Sequence, residues 1–543
     1  MVVRLQGRAL IAITIGTAHQ GARPTRWRRR TGLAGTLWDA EISRWAAPQY
    51  GRYETQTSAR QRKITMTRRS RTTQLSTSAN ARVRRREFLA SLAAGTAATS
   101  FGFAVPAAAT RRPEFKVGEG VMEITPPVGI ELGGFHRSPG NERRVKGIRQ
   151  KSFVRALVLE RRGTRVALVS LDITGVGHVM ATRTRQEVAK QSGIPAANVR
   201  LCATHTHSTP GFMFLRQWGA ISADYMAVVE KQVVRAVAAA VEDLAPAQAS
   251  LGKSRVVGGN FNRTAKTWKT DDAFTAESTH DDRWLDSVLH VLHFERAGSR
   301  RDLLWYHFSA HPVCFADELA GPDFPGMVDD LLKQSHGLSP GYLQGHAGDV
   351  NPGDGSPWRG DADETTSAVY KGITQALEKK QRIEVDALAS HRRTFGIPFD
   401  MPLFTKWLQQ YKDDPAKCVG GQWVDARFAK AWYEDNADRD LKQTTLDRTI
   451  SSIKLGPLAM VFHPTELYSY YGLSIRQRSA AADTLVVGYT DGLTGYLADP
   501  TAYATGDYGA FTVPKILDYP PFTPNAASLL ADSMVATLDK VCT

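Results

Sequence analysis

The sequence predicts an α/β fold in which mixed β-sheets are layered with helices, in a single domain with a metal site at the carboxyl ends of strands. Two observations predict this arrangement. Short apolar runs alternate with amphipathic helical patterns, and four of the runs lead into a histidine, a glutamate or a tyrosine. Because ligands of α/β proteins gather beyond the carboxyl ends of strands, these residues are candidates for one common site.

The first elements form a predicted β-α-β unit. VALVSL (166–171) and NVRLCAT (198–204) are continuously apolar, as strands buried on both faces are. The pattern between them predicts a helix over 181–193, which Gly193 and Pro195 end. The sequence therefore predicts two neighbouring parallel strands joined by a crossover helix.

The second strand leads into CATHTHSTPGF (202–212), in which His205 and His207 are one residue apart. Positions i and i+2 of an extended strand face the same side, so both imidazoles would share one small volume. A single histidine on a strand is usually structural, whereas an HxH pair ending a buried strand indicates metal binding about equally often. Thr209 and Pro210 stand where an HxHxDH metallo-β-lactamase motif needs aspartate and histidine, which excludes that class. An amidohydrolase barrel also begins with HxH, but here an earlier strand precedes the pair, which disfavours it.

Further strands and helices are predicted along the rest of the chain. The predicted strands are 302–309, 455–462 and 483–489, and the predicted helices are 222–244, a stretch from Glu466 to near Arg478, and 525–541. Residues 401–445 are polar, aromatic and lysine-rich, and are interpreted as a helical insertion. The candidates that follow a predicted strand are His205, His311, Glu466 and Tyr496, with Tyr489 and Tyr503 as alternatives to Tyr496.

The formal charge of +15 is confined to the first part of the chain. Of the 69 basic and 54 acidic residues, 50 of each lie beyond residue 109, so the body of the protein is formally neutral. The basic isoelectric point therefore does not indicate a nucleic-acid partner, and none is predicted.

Residues 66–109 resemble a twin-arginine (Tat) export signal. Three arginines at 84–86 precede Glu-Phe-Leu and a weakly apolar run that ends in alanines at 107–109. We expect residues 1–65 to be disordered or an extended gene-model start, and residues 110–543 to form the mature domain. Export would place that domain in the periplasm or outside the cell. No other stretch of the sequence is long and apolar enough to span a membrane.

The strand-end residues suit a divalent metal ion. Two histidines, a glutamate and a tyrosine are a plausible zinc ligand set that leaves a coordination position for water. Water on zinc can lose its proton near neutral pH, which supplies a nucleophile for hydrolysis. His207 would be a further ligand or an acid/base group beside that water.

A series of motifs resembles the neutral/alkaline non-lysosomal ceramidase family, and the resemblance covers roughly residues 115–540. In chain order the motifs are GVMEITPPVG (120–129), ATHTHSTPGF (203–212), FNRT (261–264), FSAHPV (308–313), DFPG (323–326), GHAGDVNP (345–352), HPTELYSYYGLSIR (463–476) and GYLADPTAYATGDYG (495–509). Carried over residue by residue, the resemblance implies the zinc ligands His205, His311, Glu466 and Tyr496, and the active-site groups His207, Arg263 and Tyr508. The last three would position an amide and stabilise negative charge on its carbonyl oxygen.

Two departures from the family pattern affect this interpretation. Asn351 stands where the family carries a serine that contributes to catalysis, and an amide side chain cannot act as a hydroxyl nucleophile. It can still hydrogen-bond a substrate. The similar ceramidases also continue into a β-sandwich domain, which this sequence is expected to lack. A serine-dependent acyl-enzyme is therefore not expected, whereas attack by zinc-bound water is.

The sequence thus predicts an exported zinc-dependent hydrolase that cleaves an amide bond of an N-acyl substrate, a small molecule or a lipid such as ceramide. Peripheral contact with a membrane is compatible with this prediction, and the sequence does not set an oligomeric state. One alternative keeps the metal and changes the bond to another ester or a small amide. A second alternative is a catalytically inactive metal-containing binding protein.

Overall fold

The computed structural model of the protein describes residues 115–418 and 426–542. The predictions for residues 1–65 and 66–109 lie outside the described residues. Within the described ranges, no helix is long and apolar enough to cross a membrane.

The described residues form helices and strands throughout. The strands are β1 (Phe115–Glu123), β2 (Gly147–Ile148), β3 (Phe153–Arg161), β4 (Thr164–Leu171), β5 (Val199–Ala203), β6 (Ala245–Arg255), β7 (Asn260–Asn262), β8 (Lys269–Thr270), β9 (Trp284–Leu285), β10 (Val288–Arg296), β11 (Leu303–Phe308), β12 (Leu319–Ala320), β13 (Gly341–Gln344), β14 (Val350–Pro352), β15 (Gln381–Ile383), β16 (Leu388–Pro398), β17 (Thr445–Leu455), β18 (Leu458–Phe462), β19 (Glu466–Leu467), β20 (Asp483–Val487) and β21 (Tyr496–Leu497). The helices are α1 (His178–Ser192), α2 (Ala223–Glu242), α3 (Phe324–His336), α4 (Ala362–Glu378), α5 (Met401–Asp413), α6 (Ala426–Asn436), α7 (Ser469–Arg478), α8 (Pro500–Thr505), α9 (Tyr508–Phe511), α10 (Val513–Ile516) and α11 (Ala526–Cys542).

The larger sheet has nine strands and is mixed. Its order is β13-β11-β10-β6-β1-β3-β4-β5, and β15 also pairs with β6. The pairs β4–β5 and β11–β13 are parallel, whereas the other pairs are antiparallel. The two ends of this sheet lie close to each other. The hydroxyl of Ser170 on β4 donates a hydrogen bond to the carbonyl of Tyr342 on β13 at 2.7 Å. The carboxyl ends of β5, β11 and β13 therefore lie close together.

A second sheet, of order β16-β17-β18-β20, packs on the larger one. The apolar layer between the two sheets includes Leu157, Leu159, Leu292, Phe294, Trp305, Ile453, Met460, Phe462, Leu485 and Val487. Helix α2 packs on β1 and β3, helix α4 packs on β6 and β10, and α11 covers β16 to β18. Burying both faces of the central strands explains why their sequences are continuously apolar. The predicted class, a mixed α/β fold, is confirmed.

The β-α-β unit lies where the sequence predicted it, as β4, α1 and β5. One predicted element is wrong: the single strand over 455–462 is a hairpin. Gly456 has φ +58°, a conformation that favours glycine, and the following Pro457 has no N–H for a ladder. Strand β17 therefore ends at Leu455 and β18 begins at Leu458.

The insertion predicted over 401–445 is helical in its described part, as α5 and α6. Trp407 and Tyr411 of α5 are buried, and the ammonium of Lys515 lies 3.7 Å from the centre of the Trp407 ring. Lys515 belongs to α10, so a cation–π contact joins the insertion to that helix. Val513 and Ile516 of α10 line the candidate site described next.

Candidate metal centre

The histidine pair of CATHTHSTPGF lies in the loop after β5. His205 has φ +66°, a left-handed conformation that is uncommon for a residue other than glycine, and its backbone N–H donates to the carbonyl of Ile173 at 3.1 Å. Its Nδ1 lies 2.6 Å from the carbonyl oxygen of Thr174, so Nδ1 carries a proton and Nε2 is directed elsewhere. His207 Nε2 lies 3.2 Å from His205 Nε2. The two rings share one small volume as expected, but a loop brings them together rather than the alternation of a strand.

His311 reaches the same point from the loop after β11. Its Nδ1 lies 3.0 Å from the carbonyl oxygen of Val350, and its side chain is fully buried. The Nε2 atom then faces Glu466, whose Oε2 is 3.1 Å away. His205 and His311 are therefore held in the same way, each by a carbonyl at Nδ1.

Glu466 and Tyr496 are brought together by two short parallel strands. Glu466 on β19 stands opposite Tyr496 on β21, and its backbone N–H donates to the carbonyl of Gly495 at 2.9 Å. The prediction that Glu466 begins a helix is wrong, because α7 starts only at Ser469. The Tyr496 hydroxyl lies 3.4 Å from His311 Nε2. The strand pair thus delivers a carboxylate and a phenol to the histidines.

The spacing of these atoms fits a tetrahedral metal ion. Ligand atoms about 2.0–2.2 Å from a zinc ion lie about 3.3–3.6 Å from one another. Glu466 Oε2 is 3.1 Å from His311 Nε2 and 3.4 Å from His205 Nε2, and the Tyr496 hydroxyl is 3.4 Å from His311 Nε2. His207 belongs to the same cluster, because nitrogens of His205, His207 and His311 lie within 4.8 Å of one another. The geometry alone therefore offers five donors.

The charge states of these residues also favour a cation. Burial, followed by the charge of Arg263, lowers the pKa of His311 to about 4, so the ring is neutral with its proton on Nδ1. Burial alone would raise the pKa of Glu466, but its polar contacts with His205 and then His311 hold it below its usual range. A lone pair on His311 Nε2 thus faces an ionised carboxylate. Such converging acceptors are stabilised by a positive ion between them.

Arg263 and Asn351 form a hydrogen-bonded unit beside Tyr496. Arg263 follows β7 and Asn351 lies on β14, and these two strands pair. The guanidinium of Arg263 donates to the Tyr496 hydroxyl at 2.6 Å, to the carbonyl of Gly348 at 2.8 Å and to Asn351 Oδ1 at 3.1 Å. The Asn351 amide nitrogen donates to the carbonyl of Trp358 at 2.7 Å. Both ends of the Asn351 amide are therefore engaged by the protein.

Tyr508 packs against Tyr496, with ring centres 5.9 Å apart. Burial raises the pKa of Tyr508 above the usual range. Tyr508 lines a cavity of about 40 Å³ together with His205, His207, Glu466 and Tyr496. The apolar walls of the cavity are Leu215, Trp218, Leu493, Val513, Ile516 and Leu517. Five of the predicted site residues thus line one small cavity, and His311, Arg263 and Asn351 lie beside it.

A larger groove of about 460 Å³ lies next to this cavity and shares Leu215 with it. Phe135 lines the groove, and its ring centre is 5.0 Å from that of His207. Phe214 and Ile221, also in the lining, are 50% and 43% exposed. The groove therefore combines apolar side chains near His207 with charged ones, because Glu131, Arg137, Glu142, Arg143 and Arg216 also line it.

Two further buried residues lie near the centre: Tyr489, an alternative to Tyr496 in the sequence analysis, and Asp349, to which no role was assigned. Tyr489 stacks on His205, with ring centres 4.3 Å apart and planes at 30°. Asp349, in the GHAGDVNP motif, accepts hydrogen bonds from Asn262 at 2.9 Å and from Ser469 at 2.8 Å. It ties β7 to the start of α7. The strand-end position of Tyr489 was a usable signal, whereas nothing local in the sequence indicates the partners of Asp349.

Comparison with known proteins shows which family this chain resembles. Residues 115–357 match the family model for the N-terminal part of neutral/alkaline non-lysosomal ceramidases. The resemblance to this family, inferred from the sequence motifs, is therefore confirmed over these residues.

Individual proteins that are similar to this chain are also ceramidases. The neutral ceramidase of Pseudomonas aeruginosa is 27% identical over 269 residues, which are 46% of this chain and 38% of that protein. The matched region thus spans well under half of that relative's length. The crystal structure of neutral ceramidase from Pseudomonas aeruginosa has a TM-score of 0.61 at 18% identity, covering 79% of this chain and 75% of that one. A structure described as ceramidase complexed with C2 has a TM-score of 0.60 at 17% identity, covering 78% and 75%. This chain shares their fold.

Proposed function

We propose that the protein is an exported zinc-dependent hydrolase that cleaves the amide bond of an N-acyl, ceramide-like substrate. One observation carries the proposal. Two histidines, each held at Nδ1 by a carbonyl, present Nε2 to a buried carboxylate at 3.1 and 3.4 Å, next to a phenol. These are the donor types and separations that a zinc site needs.

His205, His311, Glu466 and Tyr496 would hold the ion. A bound zinc ion would polarise a carbonyl oxygen and lower the pKa of a water molecule bound to it. The proposed role of His207 is to accept and return a proton, because its ring lines the cavity and its Nε2 is directed at the cluster. The alternative role of His207, as a further ligand, has the same geometric support.

The remaining residues suit the stabilisation of charge. Tyr508 lines the cavity and would donate a hydrogen bond to the oxygen that becomes negative when a carbonyl is attacked. Arg263 acts one step further away, because it donates to the Tyr496 hydroxyl and so fixes that phenol. Asn351 in turn holds Arg263. With no hydroxyl at position 351, the nucleophile in this proposal is water.

Two features bear on the substrate. The apolar side chains of the groove beside His207 suit an acyl or other hydrocarbon chain, and its exposed Phe214 suits contact with a lipid surface. The cavity at the histidines holds only about 40 Å³, which favours the second candidate function, hydrolysis of a small amide or another ester. A substrate with a small reacting end and an apolar chain satisfies both observations. Export remains a prediction from residues 66–109, and no nucleic-acid partner is proposed.

Hydrolysis by the metal-loaded protein tests this proposal. The substrates are a fluorescent N-acyl sphingosine, short N-acyl amides and a matched ester, each before and after chelation and zinc restoration. We expect amide turnover that chelation abolishes and zinc restores, and that His207→Ala reduces at least about 100-fold while zinc stays bound. His290→Ala, at a buried histidine outside the centre, is the control. Retained zinc without turnover on any substrate would favour the binding-protein alternative, and turnover limited to the ester would favour the second candidate.

A further inference from the structure

Tyr489 contacts two of the proposed ligands without lining the cavity. Its ring stacks on His205 with centres 4.3 Å apart and planes at 30°, and meets His311 edge-on at 6.1 Å and 87°. The side chain is fully buried. The cavity wall does not include it, so Tyr489 is not placed to touch a substrate.

Tyr489 and His205 share an unusual backbone conformation. Their φ angles are +52° and +66°, and a non-glycine residue persists in this region only where surrounding contacts fix it. The carbonyl of Tyr489 accepts from the N–H of Ala203 at 3.1 Å, and Thr490 pairs with Cys202 in a β-bridge. The segment after β20 is therefore joined to β5 just before His205.

One degree of freedom of the His205 ring is left open by its hydrogen bond. The contact from Nδ1 to the Thr174 carbonyl anchors one edge of the ring but leaves small rotations about the Cβ–Cγ bond that tilt the ring plane. A flat ring stacked at 4.3 Å opposes that rotation. The hydroxyl of Tyr489 is buried without a hydrogen-bond partner among the described residues, so the ring is the part that acts.

We infer that Tyr489 is a positioning residue that fixes the plane of the His205 imidazole, so that Nε2 faces Glu466 and the Nε2 atom of His311. The inference rests on the proposed metal site and adds a residue that supports a ligand without being one. Replacing a residue that contacts and orients a metal ligand typically lowers metal affinity by about 10- to 100-fold.

Zinc affinity of the full chain, measured by competition with a chelating indicator, tests the inference. Tyr489→Leu, which removes the flat ring, should bind zinc about 10-fold more weakly, and Tyr489→Phe, which keeps it, should stay within about twofold of the unaltered protein. Tyr489→Met gives the same expectation as leucine and serves if the leucine variant does not fold. The absorption spectrum of the Co²⁺-loaded protein should change with leucine or methionine and not with phenylalanine.

Tyr306→Leu is the matched control. Tyr306 is also a buried tyrosine whose hydroxyl has no hydrogen-bond partner among the described residues, but it stacks on Tyr342, at 4.8 Å and 24°. It should lose stability without losing zinc affinity. Unchanged affinity in Tyr489→Leu, an equal loss in Tyr489→Phe, or an equal loss in Tyr306→Leu would each overturn the inference. Absence of zinc binding in the unaltered protein would instead overturn the proposed function.

Discussion

Replacing Asn351 with alanine removes two hydrogen bonds that differ in kind. The bond from Arg263 to Oδ1 at 3.1 Å has a charged donor, and the bond from Nδ2 to the Trp358 carbonyl at 2.7 Å is neutral. Bonds of these kinds contribute about 1.5–3 and about 0.5–1.5 kcal/mol. The free energy of unfolding of Asn351→Ala should therefore fall by about 2–4 kcal/mol. Only the bond from Arg263 connects Asn351 to the candidate metal centre, because Arg263 also donates to the Tyr496 hydroxyl at 2.6 Å.

If the hydrogen bond from Arg263 to Asn351 contributes its whole free energy to stabilising the transition state, Asn351→Ala lowers kcat/KM by about 10- to 150-fold. The measurement is kcat/KM on a fluorescent N-acyl substrate for Asn351→Ala, Arg263→Lys and the double variant. Because both single changes break one shared bond, their effects should be coupled by at least about 1 kcal/mol. Effects that add to within about 0.3 kcal/mol would refute the idea that Asn351 acts through Arg263. Asn351→Ser is the informative control, and it should be as slow as alanine because a hydroxyl cannot span both partners.

Three further predictions concern the metal, packing and pH. Glu466→Gln removes the buried negative charge and should weaken zinc binding by at least about 100-fold in a chelator competition; an unchanged zinc affinity would contradict this. In Gly134→Ala, the new Cβ would lie 2.4 Å from Cγ of His207, and the backbone of residue 134 has φ +93°. The rate of amide hydrolysis should therefore fall at least about tenfold while the protein still folds. Normal activity would show that His207 is free to move. Burial raises the pKa of Asp172 to about 7, above its value near 3.9 in the unfolded chain. The folded state therefore binds the Asp172 proton more tightly than the unfolded state does. The contribution of Asp172 to the free energy of unfolding falls as pH rises from about 4 to 7. Asp172→Asn should remove that slope, by up to about 4 kcal/mol in denaturant titrations across this range, and an unchanged slope would contradict it.

Much of the architecture follows from local patterns. Continuous apolar runs located β4, β5, β11 and β20, and the helical pattern between the first two located their crossover. The strand-end rule then selected His205 and His311 before any family motif was used. Their contacts with main-chain carbonyls were beyond that rule, because Thr174 lies in the loop after β4 and Val350 lies on β14. Sequence periodicity thus indicates where ligands lie and not what orients them.

The failures have the same physical origin. The pattern at 455–462 has no local sign that Gly456 adopts φ +58°, and the short strand at Glu466 exists only because Tyr496 pairs with it. The substrate hydrogen bond expected of Asn351 stays a prediction, but the sequence did not indicate that Arg263 and Trp358 bind the two ends of its amide. Each of these depends on a partner distant in the chain. Only the folded arrangement supplies such partners.

The zinc content of the purified full-length protein is the most direct test of the central claim. The account predicts about one zinc ion per chain by elemental analysis, lost in His205→Ala and in Glu466→Ala, and retained in His290→Ala, where the histidine is buried but outside the centre. X-ray absorption at the zinc edge should show nitrogen and oxygen neighbours at about 2.0–2.2 Å and no sulfur. Protein without stoichiometric metal after zinc supplementation, or unchanged zinc in His205→Ala, would contradict the account.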